Sequence, residues 1–135
     1  MVKKVPRKEI ESTEYITFLK VSDNFNEGAK LAFDFEYFNA AGVLIVHSAI
    51  ALADAVTIKF SSAKCAGENH YEIIKLLKEA VHSSEKTKSA LMRFEKIIDH
   101  KNAVSYQGQI YKKEDIVMLF KHFDRFSRWA KTILE

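Results

Sequence analysis

The most apolar stretch of the chain is NAAGVLIVHSAIALADAVTIKF, which covers residues 39–60. Apolar side chains occupy nearly every position, so a helix built from this stretch would be buried on nearly every side. The exceptions are His47, Ser48, Asp54 and Thr57. His47 and Asp54 are about two helical turns apart and therefore share one stripe of the helix. The pattern predicts a central helix whose polar stripe is either a satisfied pair in the core or one wall of a binding site.

Amphipathic spacing on both sides of this stretch predicts four further helices, over about 12–35, 70–82, 85–104 and 114–133. Ser12 or Thr13 is a candidate N-cap for the first of them, and Ser83 or Ser84 for the fourth helix of the chain. A turn around Gly108 separates the last two helices. The predicted fold class is all-α, an up-and-down bundle of about five helices. Four aromatic residues, Phe33, Phe35, Tyr37 and Phe38, are expected to fill the corner between the first two helices.

The chain has 135 residues, with only one Pro and four Gly, which favours long helices within one domain. Residues 12–135 are expected to form that domain. Residues 1–11 are charged, contain the only proline and show no periodicity, so they are predicted to be a basic N-terminal arm that is mobile or loosely docked. Gly42 and its alanine neighbours predict a close approach of another backbone, either within the fold or from a second subunit.

Cysteine content and charge narrow the setting. The single Cys65 cannot form an intramolecular disulfide or, alone, a cysteine-based zinc site, so a reducing, cytoplasmic location is predicted. The apolar run over 40–53 is shorter than the roughly 18–20 residues of a membrane span, and Asp54 and Lys59 close it, so no membrane association is expected. A net charge of +3 permits a nucleic-acid or nucleotide partner without requiring one.

Several kinds of active site have no motif in this chain. It contains no GxGxxG or GxxxxGK[ST] loop for phosphates, no HExxH for zinc and no GxSxG nucleophile elbow. No metal and no cofactor is therefore expected. His82 and His122 stand beside charged residues and are predicted to lie at the surface.

Polar residues suited to chemistry occur in two places besides the stripe of the central helix. Asn69-His70 stands at a loop-to-helix junction, where Asn69 either caps the helix or lies beside backbone donors suited to an anion. Lys101, Asn102 and Tyr106 share one side if the fourth helix continues through them. Lysine suits phosphate binding, and tyrosine adds a stacking face and a hydroxyl. The structural alternative is a basic helix C-terminus that complements the helix dipole.

Three segments, NAAGVLIVHSAIALADAV, GENHYEIIKLL and HKNAVSYQGQIYKKEDIVMLFKHFDRFSRWA, together resemble a HEPN domain (higher eukaryotes and prokaryotes nucleotide-binding) over about residues 15–134. The resemblance implies a homodimer of helical bundles with a cleft at the two-fold interface. Many members of that family are metal-independent ribonucleases that use an Arg and a His four to six residues further on. Others bind nucleotide or RNA without catalysis, or pair with a nucleotidyltransferase in toxin–antitoxin modules.

The ribonuclease motif of that family is altered here. Where members read Arg-Asn-x-x-x-His, this chain reads Lys101-Asn102-Ala-Val-Ser-Tyr106. Lysine lacks the bidentate fork of arginine, and tyrosine, with a pKa near 10, is a poor general base at neutral pH. Arg93 and His100 have a compatible spacing, but they begin earlier on the helix and Phe94 replaces the polar neighbour, so we interpret that match as accidental.

The resemblance thus implies a dimeric module that binds a nucleotide or RNA and is non-catalytic or regulatory. The alternative is a metal-independent ribonuclease toxin, and whether the protein is an enzyme is left open. Lys101 is expected to hold an anion and Asn102 to orient it, while Asp54 fixes the tautomer of His47 or pairs with Lys101. The residues expected to line one cleft are Lys101, Asn102, Tyr106, His47, Asp54, Asn69 and His70.

Overall fold

Helices account for most of the chain in the computed structural model, which describes residues 5–67 and 69–135. In the described ranges the helices are α1 (Tyr15–Asp34), α2 (Phe38–Ser61), α3 (Glu72–Ala80), α4 (Glu85–Ile98), α5 (Lys101–Ser105) and α6 (Lys113–Leu134). A 3-10 turn over Ser12–Glu14 precedes α1. The predicted all-α bundle is confirmed. The predicted fourth helix is divided, because a two-residue break separates α4 from the single turn of α5.

Helix α2 is the hub of the bundle. It packs along α1 and also contacts α3, α4, α5 and α6. Every side chain from Ala51 to Ile58 is buried, which agrees with the prediction that this helix is buried on nearly every side. Helix α2 is long and apolar enough to cross a membrane, but 78% of its most apolar window is buried inside the protein. That burial is typical of the core helix of a soluble protein.

The close approach predicted at Gly42 occurs inside the fold. A Cβ atom at this position would lie 2.5 Å from Val104 Cγ2 and 3.3 Å from Ile116 Cδ1. Real side chains do not pack at 2.5 Å, so the absence of a Cβ is what lets α5 lie against α2. Of the two alternatives left open by the sequence, the structure therefore shows the intramolecular one.

A short antiparallel strand pair is the part of the fold that the sequence did not predict. Strand β1 (Arg7–Glu9) pairs with β2 (Ala63–Cys65), and Arg7 is opposite Cys65. Arg7 also makes a 2.9 Å ion pair with Glu79 of α3. Val5 is buried, so the described part of the predicted arm is docked, whereas residues 1–4 of the arm lie outside the described residues. Strands of three residues are too short to show an alternating pattern.

The aromatic corner between α1 and α2 is only half buried. The rings of Phe33 and Phe38 pack edge to face, and Phe33 meets Phe120 in the same way, at centroid distances of 5.8 and 5.7 Å. Phe35 and Tyr37 stack on each other in solvent and are 64% and 65% exposed. The prediction that all four aromatics fill the corner is therefore wrong for these two. They flank Glu36, whose positive φ of 63° reverses the chain.

Candidate functional site

Asn39 fastens the segment that carries three of the predicted site residues. Its side-chain amide donates to the carbonyls of Val104 and Gln109 at 3.2 and 2.8 Å. Its side-chain oxygen accepts from the backbone N–H of Tyr111 at 2.9 Å. These contacts bridge about 70 residues of sequence and hold the loop after α5 against the start of α2. No local signal in the sequence reveals so distant a set of partners.

His47, His70 and Lys101, which we call the histidine face, come from three separate segments. His47 is on the exposed side of α2, His70 lies in the turn that leads into α3, and Lys101 begins α5. Partial burial lowers the pKa of His70, and the positive charge of Lys101, His47 itself and Lys64 lower it further. Such charge effects indicate that these side chains lie within electrostatic range of one another. The structure therefore groups three of the seven residues that were predicted to share a site.

Both imidazoles of the histidine face are neutral at physiological pH. Desolvation lowers the pKa of His47, and the charge of Lys101 lowers it further. At pH 7 a histidine with a lowered pKa can accept a hydrogen bond or a proton, and it becomes a cation only in more acidic solution. The ring of Phe25 packs on His47 with centroids 5.8 Å apart. The face thus combines one permanent cation with two groups that titrate below the ordinary histidine range.

Helix α5 presents the other predicted residues of its segment at the surface. Lys101 Nζ lies 5.9 Å from the ring centroid of Tyr106, so these two share a side as predicted. Tyr106 is 78% exposed, and Asn102 is exposed as well. The backbone carbonyl of Asn102 accepts from the Tyr106 N–H at 2.8 Å and closes the turn. An exposed aromatic ring beside a lysine is an arrangement to which a nucleic-acid base can stack.

Asp54 is buried and has a different partner from those expected. Its carboxylate lies 3.5 Å from Lys64 Nζ, on β2, so it pairs with neither Lys101 nor His47. Burial raises the pKa of Asp54 to about 6, although Lys64 acts in the opposite direction. The second oxygen, Oδ1, is buried and has no hydrogen-bond partner in the part of the chain that the structure describes. The two ends of the predicted stripe separate because α2 rises about 10 Å between positions 47 and 54.

Asn69 and Ser48 have structural roles. The side chain of Asn69 accepts from the backbone N–H of Tyr71 at 3.1 Å and so supports the turn before α3. The N-cap of α3 is Tyr71, so the capping role predicted for Asn69 is wrong. Ser48 and Ser22 of α1 each donate to the carbonyl of the other, at 2.7 and 2.8 Å. That reciprocal pair satisfies both hydroxyls inside the core and joins α1 to α2. Neither residue contributes a side chain to the histidine face.

His122 and His100 both make contacts within the fold. His122 is only 8% exposed, so the prediction of a surface position is wrong. Its Nδ1 lies 3.1 Å from Nη1 of Arg93, and burial together with Arg93 lowers the pKa of His122. His100 is engaged elsewhere, with Nδ1 at 2.7 Å from the Tyr111 hydroxyl. The signal for His122 was its place on the inward stripe of α6, one residue before buried Phe123.

Neither Cys65 nor a cluster of metal-ligating side chains adds a further site within the described residues. Burial raises the pKa of the Cys65 thiol, which keeps it protonated and a poor nucleophile. No three metal-ligating side chains come together within residues 5–67 and 69–135. Comparisons of the chain with protein-family models, with curated proteins and with solved structures gave no significant match.

Proposed function

We propose that the protein is a dimeric, HEPN-like module of the cytoplasm that binds a nucleotide or single-stranded RNA at its histidine face without cleaving it. The observation that carries the proposal is the convergence of His47, His70 and Lys101 from three segments of the chain. Lys101 attracts a phosphate, and each imidazole can donate a hydrogen bond to a phosphate oxygen. The exposed ring of Tyr106 beside Lys101 supplies a stacking surface for a base.

Apolar side chains are exposed at one end of the bundle and favour dimerisation there. Tyr37 and Ile110 are 65% and 85% exposed, and Asn39 holds the loop of Ile110 beside the start of α2. Tyr106 belongs to the same loop region. Large apolar groups exposed together are typical of a surface that another protein covers. A two-fold copy is the simplest cover, and it would place Tyr106 near the interface.

The non-catalytic form is favoured because, among the described residues, no carboxylate forms an ion pair with His47, His70 or Lys101. A general base needs an orienting group, and the carboxylate nearest in the sequence stripe, Asp54, pairs with Lys64 instead. The alternative, a metal-independent ribonuclease toxin with a nucleotidyltransferase partner, is supported by the adjacency of two histidines. One neutral imidazole would take the proton of the 2′-hydroxyl as its oxygen attacks phosphorus. The other, as imidazolium, would protonate the departing 5′-oxygen.

Fluorescence anisotropy with a short labelled oligouridylate, and separately with labelled ADP, tests the binding proposal. We expect Lys101→Ala to weaken binding about five- to ten-fold, the loss of about one charge-assisted contact. Lys88→Ala is the matched control, because it removes the same charge at a distance from Lys101. Lys88 lies on α4 about 15 Å before the end of that helix, and Lys101 follows that end. If Lys101→Ala and Lys88→Ala behave alike, the histidine face is not the binding site.

Binding should also strengthen as the pH falls from about 7.5 to about 5.5. An anion favours the imidazolium forms, whose formation the protein opposes in the free state, so binding takes up protons in this range. The double variant His47→Gln, His70→Gln should abolish this pH dependence while keeping the contribution of Lys101. An equal pH dependence in the wild type and the double variant would contradict the assignment.

Two further measurements separate the alternatives. Metal-free cleavage of the same RNA, lost in His47→Gln or His70→Gln, would establish the ribonuclease and overturn the non-catalytic proposal. Sedimentation velocity should show a dimer that Ile110→Glu converts to monomers, because a charge on that exposed side chain cannot be buried cheaply. A wild-type monomer at high concentration would contradict the dimer.

A further inference from the structure

A wide groove lies between α4 and α6, bounded at one end by the turn that joins α3 to α4. Its volume is about 1280 Å³. None of the residues of the histidine face lines it. Along α6 it extends from Lys121 to Ile133, which corresponds to about 18 Å, or a little over three helical turns. We call it the basic groove, for the charges described next.

The basic groove has a cationic rim and an apolar lining. Its cations are Lys86, Arg93, Lys121, Arg125 and Arg128, whereas its only carboxylates are Glu85 and Asp124. Asp124 is already paired with Arg128 at 3.3 Å. Apolar side chains between the charged ones come from α4 and α6, from the end of α3 with the turn after it, and from the end of α2: Phe60, Ala80, Val81, Ala90, Trp129 and Ile133. A complementary partner therefore needs several carboxylates and a stripe of apolar side chains.

Arg93, which lines this groove, has fewer hydrogen-bond acceptors than donors among the described residues. Its Nη1 contacts Nδ1 of His122 at 3.1 Å, which uses a neutral imidazole as acceptor. Its Nε is buried and has no hydrogen-bond partner among residues 5–67 and 69–135. No carboxylate is paired with Arg93 within the described residues. A guanidinium N–H buried without an acceptor costs free energy, and a carboxylate delivered to the groove would supply that acceptor.

The lining favours aliphatic side chains over nucleic-acid bases. Trp129 is the only indole of the chain, and its Nε1–H donates to the Thr87 hydroxyl at 3.3 Å. Its ring packs against buried Phe126, with centroids 5.8 Å apart. The ring is thus held as part of the wall. Base stacking needs an aromatic face that stands free, whereas small residues such as Ala80 and Ala90 leave room for inserted side chains.

From these features we infer that the basic groove is a docking site for an acidic amphipathic α-helix of a partner protein. The helix lies along α4 and α6 as a third member of the packed pair, with its apolar stripe on Val81, Trp129 and Ile133. Its carboxylates face Arg93, Arg125 and Lys121. A helix of about three to four turns matches the length of the groove. This site is independent of the proposed histidine face and remains if that proposal fails.

A peptide-display selection on the full-length protein tests the inference. The library consists of helices of about four turns, with Asp or Glu at polar positions and Leu, Ile, Met or Phe at positions i, i+3, i+4 and i+7. A second library replaces every acid with Lys or Arg. We expect enrichment from the acidic library only, and binding by the selected peptides measured by anisotropy. Amide chemical-shift changes should concentrate on α4 and α6.

Charge reversal supplies the matched controls. Arg125→Glu, Arg128→Glu should weaken binding of a selected peptide at least ten-fold. Lys30→Glu, Lys113→Glu makes the same change of net charge on other surfaces, at α1 and at the start of α6, and should change binding less than two-fold. Arg93→Met should also weaken binding, with circular dichroism showing that the fold is kept.

Three results would overturn the inference. They are a lack of enrichment from the acidic library, equal loss in the two charge-reversal variants, and shifts that map outside the groove. An oligouridylate that displaces the peptide and itself loses affinity in Arg125→Glu, Arg128→Glu would identify the groove as a nucleic-acid site instead.

Discussion

The two ends of α2 meet their surroundings in opposite ways. At the N-terminal end, Asn39 makes hydrogen bonds with both its donor and its acceptor atoms, and Gly42 is packed tightly under Val104. At the C-terminal end, Asp54 has one lysine at 3.5 Å and one buried oxygen without a partner. The first end is fully satisfied and the second end retains an electrostatic cost.

The two ends of α2 therefore influence the candidate site in different ways, one by positioning a loop and the other by its charge. The contacts of Asn39 fix the loop that carries Tyr106 and Ile110, so they act on the candidate site through position. Asp54 instead acts through charge, since it holds Lys64, and Lys64 contributes to the lowered pKa of His70. Substitutions at the first end should therefore change packing and order. A substitution at Asp54 should change how stability depends on pH.

The largest effect is expected from Asp54→Asn. Burial raises the folded-state pKa of Asp54 to about 6, above its ordinary value. Between the two values the folded protein binds more protons than the unfolded chain, so this group makes stability fall as the pH rises from about 4 to about 6. A shift of about two units corresponds to about 3 kcal/mol at neutral pH. Urea unfolding between about pH 4 and about pH 6 should show this fall in the wild type, whereas Asp54→Asn should lack the contribution of the carboxylate. We expect Asp54→Asn to be more stable than the wild type at about pH 7.5.

His47 and His70 change the pH dependence of stability in the opposite direction to Asp54. The wild type must therefore be compared directly with Asp54→Asn. Their lowered pKa values stabilise the fold above about pH 6.5, and this contribution is lost as the pH falls below that point. Only the difference between wild type and Asp54→Asn isolates the carboxylate. If the two unfolding free energies run parallel from pH 4 to pH 7, Asp54 is not strained by burial and the contrast between the two ends of α2 disappears.

Asn39→Ala should have the next largest effect. It removes three hydrogen bonds, each with a net value of about 1 kcal/mol, so we expect the free energy of unfolding to fall by about 2–3 kcal/mol. The Tyr111 amide, which loses its acceptor, should lose hydrogen-exchange protection. Asn24→Ala, at an exposed position of α1, is the control and should change stability by less than about 0.5 kcal/mol. Unchanged exchange at Tyr111 would show that Asn39 does not fasten the loop.

How far the sequence could predict these features depends on the range of the interactions involved. Helical periodicity revealed α1, α2, α3, α4 and α6, because each long helix repeats its apolar stripe over several turns. The Ser84 cap, which accepts from the Thr87 N–H at 3.1 Å, was visible as a local motif. The pairing of β1 with β2 and the partners of Asn39 join residues more than 50 positions apart, and single-sequence patterns contain no such information.

The candidate site shows the same limit at a finer scale. The residue types of His47, His70 and Lys101 indicated chemistry, and the structure brings them together. The partner of Asp54 was not predictable, since Lys64 is placed by the short strand β2, which the sequence pattern does not reveal. The basic groove was missed for a related reason. Its cations are spread over α4 and α6, and only the packing of those two helices unites them.

The smallest effect is expected from Gly42→Ala, and it tests whether the N-terminal end of α2 is as tightly packed as the distances indicate. The new Cβ would lie 2.5 Å from Val104, and overpacking of this kind costs about 1–3 kcal/mol, partly offset by the higher helix propensity of Ala. We expect a net loss of about 1 kcal/mol in urea unfolding. Gly28→Ala on α1, where the nearest atom is Leu44 Cδ1 at 3.4 Å, should instead be neutral or stabilising. The double variant Gly42→Ala, Val104→Ala should lose less stability than the sum of the losses of the two single variants, because the smaller side chain at position 104 removes the clash. Additive effects of the two substitutions would mean that Gly42 and Val104 do not press on each other and that this end of α2 has room to spare.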